Sequence, residues 1–181
     1  MSGAVGQPVA AVGTASHPFG SCFVARLIRR DGKQRPSEKG EPLSSIYRSA
    51  DLDVSADAAW DFIERYTRSE VHVFSLCVAE RQEAEYRVVT LADGREVWER
   101  NVTVDPAHRR ATYTVPGLNG AEHHQAEMRV EVGQHGKARL IWVTDYLPHE
   151  IAEERVTSYD TLFAELVTAV NSHDVGAVAS S

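Results

Sequence analysis

The stretch IWVTDYLPHEIAEERVTSYDTLFAELVTAVNS, residues 141–172, changes its hydrophobic period from 2 to 3.6 at Pro148. Before the proline, Leu140, Trp142 and Tyr146 lie on one side of an alternating run, as on a strand with one apolar face. After it, Ile151, Arg155, Ser158, Tyr159, Leu162, Leu166, Ala169 and Val170 recur along one face of a long amphipathic helix ending near Ser172. The opposite face carries Glu153, Glu154, Asp160, Glu165 and Asn171, so the helix is covered on one side only. Its apolar stripe needs a second layer, and a sheet is the surface available to cover it.

Upstream residues supply that sheet. Ile46, Arg48, Ala50, Leu52 and Val54 alternate with mostly polar residues, which predicts a first strand over 45–54. Ser55-Ala56-Asp57 caps a helix in which Ala59, Trp60, Ile63 and Tyr66 share a face, and a second helical turn is expected around 69–73. Six further alternating segments follow, over 74–82, 86–91, 95–104, 109–115, 122–132 and 138–146. The turns between them hold Asp93-Gly94, Asp105-Pro106, Pro116-Gly117 and Gly133, so antiparallel hairpins are the natural connection.

The chain has 181 residues, 43% hydrophobic and 25% charged, which suits one domain with one core. We read 44–174 as that domain, 1–43 as a flexible extension rich in Gly, Ala, Ser and Pro, and 175–181 as a tail. A formal net charge of -7 argues against a nucleic-acid surface, which needs clustered cations. The short cluster Arg26, Arg29, Arg30, Lys33 and Arg35 falls in the extension. Two cysteines, Cys22 and Cys77, give no disulfide framework, and no apolar run approaches the roughly 20 residues of a membrane helix. A cytoplasmic location is the expectation.

Strand, two short helices, six antiparallel strands and a terminal helix is an order that resembles the START-like, or SRPBCC, superfamily of Bet v 1-like proteins, including the polyketide cyclase/dehydrase family. The local resemblance lies in 46–54 leading into Ala58-Ala59-Trp60, in Glu99 to Asp105-Pro106 before Arg109-Arg110-Ala111-Thr112-Tyr113, and in Leu140-Ile141-Trp142 to Tyr146-Leu147-Pro148. It implies an α+β helix-grip fold, a curved seven-stranded antiparallel sheet wrapped around the C-terminal helix with two short helices after strand one. It also implies a cofactor-free polyketide cyclase or aromatase, which cyclises or dehydrates a hydrophobic polyketide-like substrate in an internal cavity. An acyl carrier protein would deliver that substrate, and a homodimer is compatible with it. The same cavity equally serves a non-catalytic carrier or sensor of a lipid, quinone or other hydrophobic metabolite.

Strand alternation gives the expected lining. Taking Trp98, Val102 and Val104 as the inward phase of their strand puts Arg100 inward among them. A buried cation needs a partner or an anionic ligand; the alternative is that Arg100 snorkels to solvent or pairs with Glu99 or Glu127. A β-bulge would reverse the phase, admitting Glu99 and expelling Arg100. The same reasoning places Tyr113, His124, Met128, Trp142 and Tyr146 inward, with Arg155 and Tyr159 facing them from the helix. Arg100, His124 and Tyr113 are the candidate catalytic groups, Arg100 stabilising an enolate oxygen and the other two moving protons. Trp98, Trp142, Tyr146, Arg155, Tyr159 and Met128 are the candidate substrate contacts, each of which is alternatively plain core. Neighbouring His123 and His124 point to opposite faces of a strand, so a metal site is not expected. Asp145 with His149 is a further acid-base candidate, and His72 is a weaker one near the mouth.

Overall fold

The computed structural model describes residues 43–173. The expected extension, apart from Leu43, and the expected tail lie outside the described residues, as do Cys22 and the basic cluster. The element order is β1 (Ser44–Ser55), α1 (Ala56–Thr67), β2 (Cys77–Glu83), β3 (Tyr86–Leu91), β4 (Glu96–Asp105), β5 (Arg110–Thr114), β6 (His123–Val132), β7 (Lys137–Leu147) and α2 (His149–Ser172). The strands form one antiparallel sheet in the order β1-β7-β6-β5-β4-β3-β2, with every sequential hairpin paired and β1 closing against β7. Irregularities between Asp51 and Ser55, Cys77 and Ala79, and Asn101 and Thr103 are the places where bulges bend such strands, and they curve the sheet.

Ser55 ends β1 and caps α1, its side chain accepting the Ala58 N–H at 3.2 Å. The expected second helical turn does not form. Ser69 takes a left-handed φ of 59°, its N–H reaching Tyr66 O and the Glu70 N–H reaching Arg65 O. This pair of bonds satisfies the terminal carbonyls and turns the chain off the helix axis, so 69–73 continues as turn and bend. Glycine is absent at this position, and the stop was therefore not legible from composition.

One core holds the layers together. From α2 it takes Ala152, Tyr159, Phe163, Leu166 and Val170, and from α1 Ala59, Trp60, Phe62, Ile63 and Tyr66. Facing them are Ile46 and Leu52 of β1, Ala126, Met128 and Val130 of β6, and Leu140, Trp142 and Tyr146 of β7. The two ends of α2 pack differently. Leu166 and Val170 are sealed, whereas Arg155, Ser158 and Leu162 line a space that the sheet leaves open. Among the described residues no helix is long and apolar enough to cross a membrane.

Leu166 is fully buried at the sealed end, so Leu166→Ala should cost about 2–5 kcal/mol. Urea unfolding checks this, through a lower midpoint at an unchanged slope.

Candidate ligand-binding site

Between the N-terminal half of α2 and the inner face of β3 to β7 lies a cavity of about 300 Å³. Buried side chains form its floor: Tyr113 from β5, His124 from β6, Trp142 and Tyr146 from β7, and Arg87 from β3. Tyr159 covers them from α2, while exposed Leu76, Arg95, Asn119 and Ser158 stand at its rim. The rings touch in sequence around the wall. Tyr66 meets Phe74, Phe74 stacks on Trp142 at 6.1 Å, and Trp142 meets Tyr159 at 5.1 Å. Tyr146 then links Tyr159 to His124, which lies against Tyr113. Rigid rings in edge and stacked contact hold their positions with few rotamers to lose, so the wall is preformed.

Two ring N–H groups in this wall have no partner. Nδ1 of His124 accepts the Val115 N–H at 3.0 Å, which leaves the ring proton on Nε2. That Nε2, like Nε1 of Trp142, is buried and unbonded among the described residues. Burial pushes His124 down from 6.5 to about 4, the nearby His123 adding to the effect, so the ring is neutral at pH 7. Beside it the Tyr146 and Tyr159 hydroxyls share a hydrogen bond of 3.0 Å. Burial raises Tyr113, Tyr146 and Tyr159 above the ordinary phenol value, so all three stay protonated.

The far end of the cavity is charged. Arg87 binds Glu99 Oε2 at 2.6 Å and Glu80 Oε2 at 2.6 Å, and its guanidinium lies 4.0 Å from the centre of the Tyr66 ring. Burial works against this cation, but Tyr66, Glu99 and Glu80 around it outweigh that and keep it protonated. Burial also lifts the Glu99 carboxyl above the usual range, with Arg87 pulling the other way. His72, exposed, sets Nδ1 3.0 Å from Glu80 Oε1, out of hydrogen-bond alignment.

Of the residues singled out by alternation, Tyr113, His124, Trp142, Tyr146, Arg155 and Tyr159 come together around the cavity. His123 is exposed and His124 buried, as opposite faces of β6 require. Met128 is buried 1% exposed in the core and does not line the space.

Arg100 and Trp98 are corrections. Both lie on the outer face, Arg100 half-exposed 3.7 Å from Glu85, and Trp98 against Tyr86 and beneath Arg81. The reason is the bulge between Asn101 and Thr103. Asn101 pairs with Tyr113 and Val104 with Ala111, two inward residues of β5, so the two ends of β4 show opposite parities to one face. Taking Val104 as the guide therefore reverses Trp98 and Arg100, and Val102 is exposed as well. The inward groups of β4 are Val97 and Glu99.

Asp145 and His149 do not pair either. Asp145 accepts from Ser45 Oγ at 2.5 Å, and His149 lies 3.4 Å from Glu150.

Arg87 was missed although a signal existed. It shares its parity with Val89 and Leu91, which also line the cavity. Only the register, Arg87 opposite Glu99, reveals why a cation can face inward there.

No family model matches the chain, and no curated protein does. Solved structures do. XoxI from Bacillus cereus is 16% identical, with 71% of this chain and 93% of that one covered at a TM-score of 0.60. A Thermobifida fusca protein is 21% identical, covering 70% and 90% at 0.58. Norcoclaurine synthase from Thalictrum flavum, as a point mutant in complex with a transition state analogue, is 17% identical, covering 74% and 97% at 0.58. The same synthase solved in complex with dopamine and hydroxybenzaldehyde matches at 17% identity, covering 74% and 89% with a TM-score of 0.54. At such identities the likeness is one of fold, and the fold is the α+β, Bet v 1-like helix-grip.

Two measurements follow from the charges. Between pH 6.5 and about 4 the unfolded chain takes up a proton that folded His124 refuses, so stability should fall as pH drops through that window. From pH 7 to 4.5 the wild type should lose about 2–3 kcal/mol more than His124→Gln in urea unfolding; equal losses would contradict the burial assigned to this ring. Arg87→Met strands two buried carboxylates and should cost about 3–5 kcal/mol, more than Glu99→Gln, by the same measurement.

Proposed function

We propose that the protein binds a small, flat, largely apolar molecule carrying an acceptor oxygen, and acts as its carrier or sensor. One observation carries this reading: an aromatic-walled cavity, two of whose lining residues, His124 and Trp142, hold buried ring N–H groups without a partner among the described residues. A buried donor without an acceptor is unfavourable, and a guest oxygen removes that cost. Aromatic walls and a volume of about 300 Å³ suit one or two fused rings, toward the small end of ligand pockets.

The titratable groups favour binding over acid-base chemistry. His124 holds its one basic nitrogen against the Val115 N–H, the tyrosines are raised away from neutrality, and Glu99 is clamped by Arg87. His124 and the tyrosines are thus held away from pH 7, where a general base works best, and the Glu99 carboxylate is engaged by Arg87. Norcoclaurine synthase, solved with dopamine and hydroxybenzaldehyde, is a protein of this fold in complex with small aromatic molecules.

The second reading is cyclisation of a short polyketide-like chain, delivered by an acyl carrier protein. It is favoured by the cluster of His124, Trp142 and the Tyr146–Tyr159 hydroxyl pair, donors that would stabilise an enolate oxygen as charge develops. Under this reading Tyr146→Phe lowers turnover of a β-keto thioester more than binding; under the first there is no turnover to lower.

A naphthyl ketone and the matching alkylnaphthalene test the binding function by calorimetry. The ketone should bind one per chain and about five- to tenfold tighter than the hydrocarbon, a difference of roughly one hydrogen bond. His124→Phe should erase the difference and Leu162→Trp should block both ligands. Failure of both compounds to bind the wild type would sink the reading.

A further inference from the structure

Four ionised side chains line the cavity: Arg87, Arg95, Glu99 and Arg155. Three are answered by opposite charges. Arg87 and Glu99 hold each other at 2.6 Å, and Arg95 at the rim binds Asp93 at 2.7 Å. Arg155 makes no hydrogen bond or ion pair with any described residue, and its Nε is buried and unbonded.

The position of Arg155 is fixed by the helix. It stands one turn N-terminal to Tyr159, on the stripe of α2 that faces the sheet, and is half-buried. Arg155 lines the same cavity as the paired hydroxyls of Tyr146 and Tyr159, and its charge lowers Tyr146 against the burial that raises it. A planar fork of donors in a partly dry wall, with the neighbouring acids committed elsewhere, is suited to a carboxylate, which it can meet with parallel charge-assisted bonds. Nothing on the outer face competes for it: Glu153 and Glu154 are exposed on the opposite side of the helix, and Asp160 is held by Arg48 at 2.6 Å.

We propose that the guest is an apolar acid, a flat hydrocarbon body seated among the rings with one carboxylate held by Arg155. This rests on the reading of the cavity as a ligand site and adds the charge of its occupant. The opposite pole, where Glu80 and Glu99 outnumber Arg87, disfavours an anion, so the acid lies with its body toward that end and its carboxylate toward α2.

The test compares 2-naphthoate with 2-naphthamide at pH 7 by calorimetry, two probes of nearly equal shape that differ in charge. Wild type should prefer the acid by at least about tenfold, the usual margin of a charge-assisted bond over a neutral one. Arg155→Gln should bring the acid to the affinity of the amide and leave the amide unchanged, while Arg155→Lys should keep part of the preference; circular dichroism confirms that each variant is folded. Equal affinities in the wild type, or a preference surviving in Arg155→Gln, would overturn the assignment while leaving the cavity reading standing. Binding of neither probe to the wild type would overturn the cavity reading and this assignment together.

Discussion

The packing of α2 against the inner face of the sheet is the contact on which the remaining features depend. Its C-terminal half presents Phe163, Leu166 and Val170 and seals against the core, which fixes the helix at that end. Its N-terminal half presents Tyr159 and Arg155, and meets Trp142 and Tyr146 through ring edges and hydroxyls instead of interlocking aliphatic chains. Large rings in contact at 5.1 and 6.4 Å keep backbone layers apart. The cavity is therefore a product of side-chain shape, tight where the residues are aliphatic and open where they are aromatic.

Such an arrangement exposes backbone and side-chain polar groups to a dry interior, and the sheet answers each in a different way. Arg87 is neutralised by carboxylates from the strands on either side, Glu80 on β2 and Glu99 on β4. His124 is fixed in one tautomer by the N–H of Val115, just past the end of β5. At the opposite side His124 Nε2, Trp142 Nε1 and Arg155 Nε are buried without a partner among the described residues. A pole whose charges neutralise one another thus stands opposite a pole of ring and guanidinium donors, which the proposed guest oxygen would meet.

Much of the architecture was legible because it rests on periodicity. The change of period at Pro148 locates α2, which runs from His149 to Ser172, and the hairpin signals locate all seven strands within a few residues. The Ser55 cap was equally readable. The site was legible wherever a strand keeps strict alternation, as at His124, Trp142 and Tyr146 on β6 and β7, whose register is unbroken from His123 to Val132. It failed on β4, where a single extra residue near Val102 inverts the phase and nothing in the local composition marks it. It also failed at Arg87, because an inward cation is stable only through partners on neighbouring strands, and pairing between strands is not written in either strand alone. The end of α1 escaped for a similar reason: Ser69 takes the left-handed turn that glycine usually announces.

The three tryptophans probe directly whether room remains between α2 and the sheet beside the indole of Trp142. Trp142 lines the cavity, Trp60 is buried on α1, and Trp98 lies on the outer face. In a nitrogen–proton correlation spectrum titrated with a naphthyl ligand, the indole signal of Trp142 should shift saturably toward the hydrogen-bonded range while those of Trp60 and Trp98 stay in place. A shift at Trp98 instead, or an unmoved Trp142 under saturating ligand, would contradict the account.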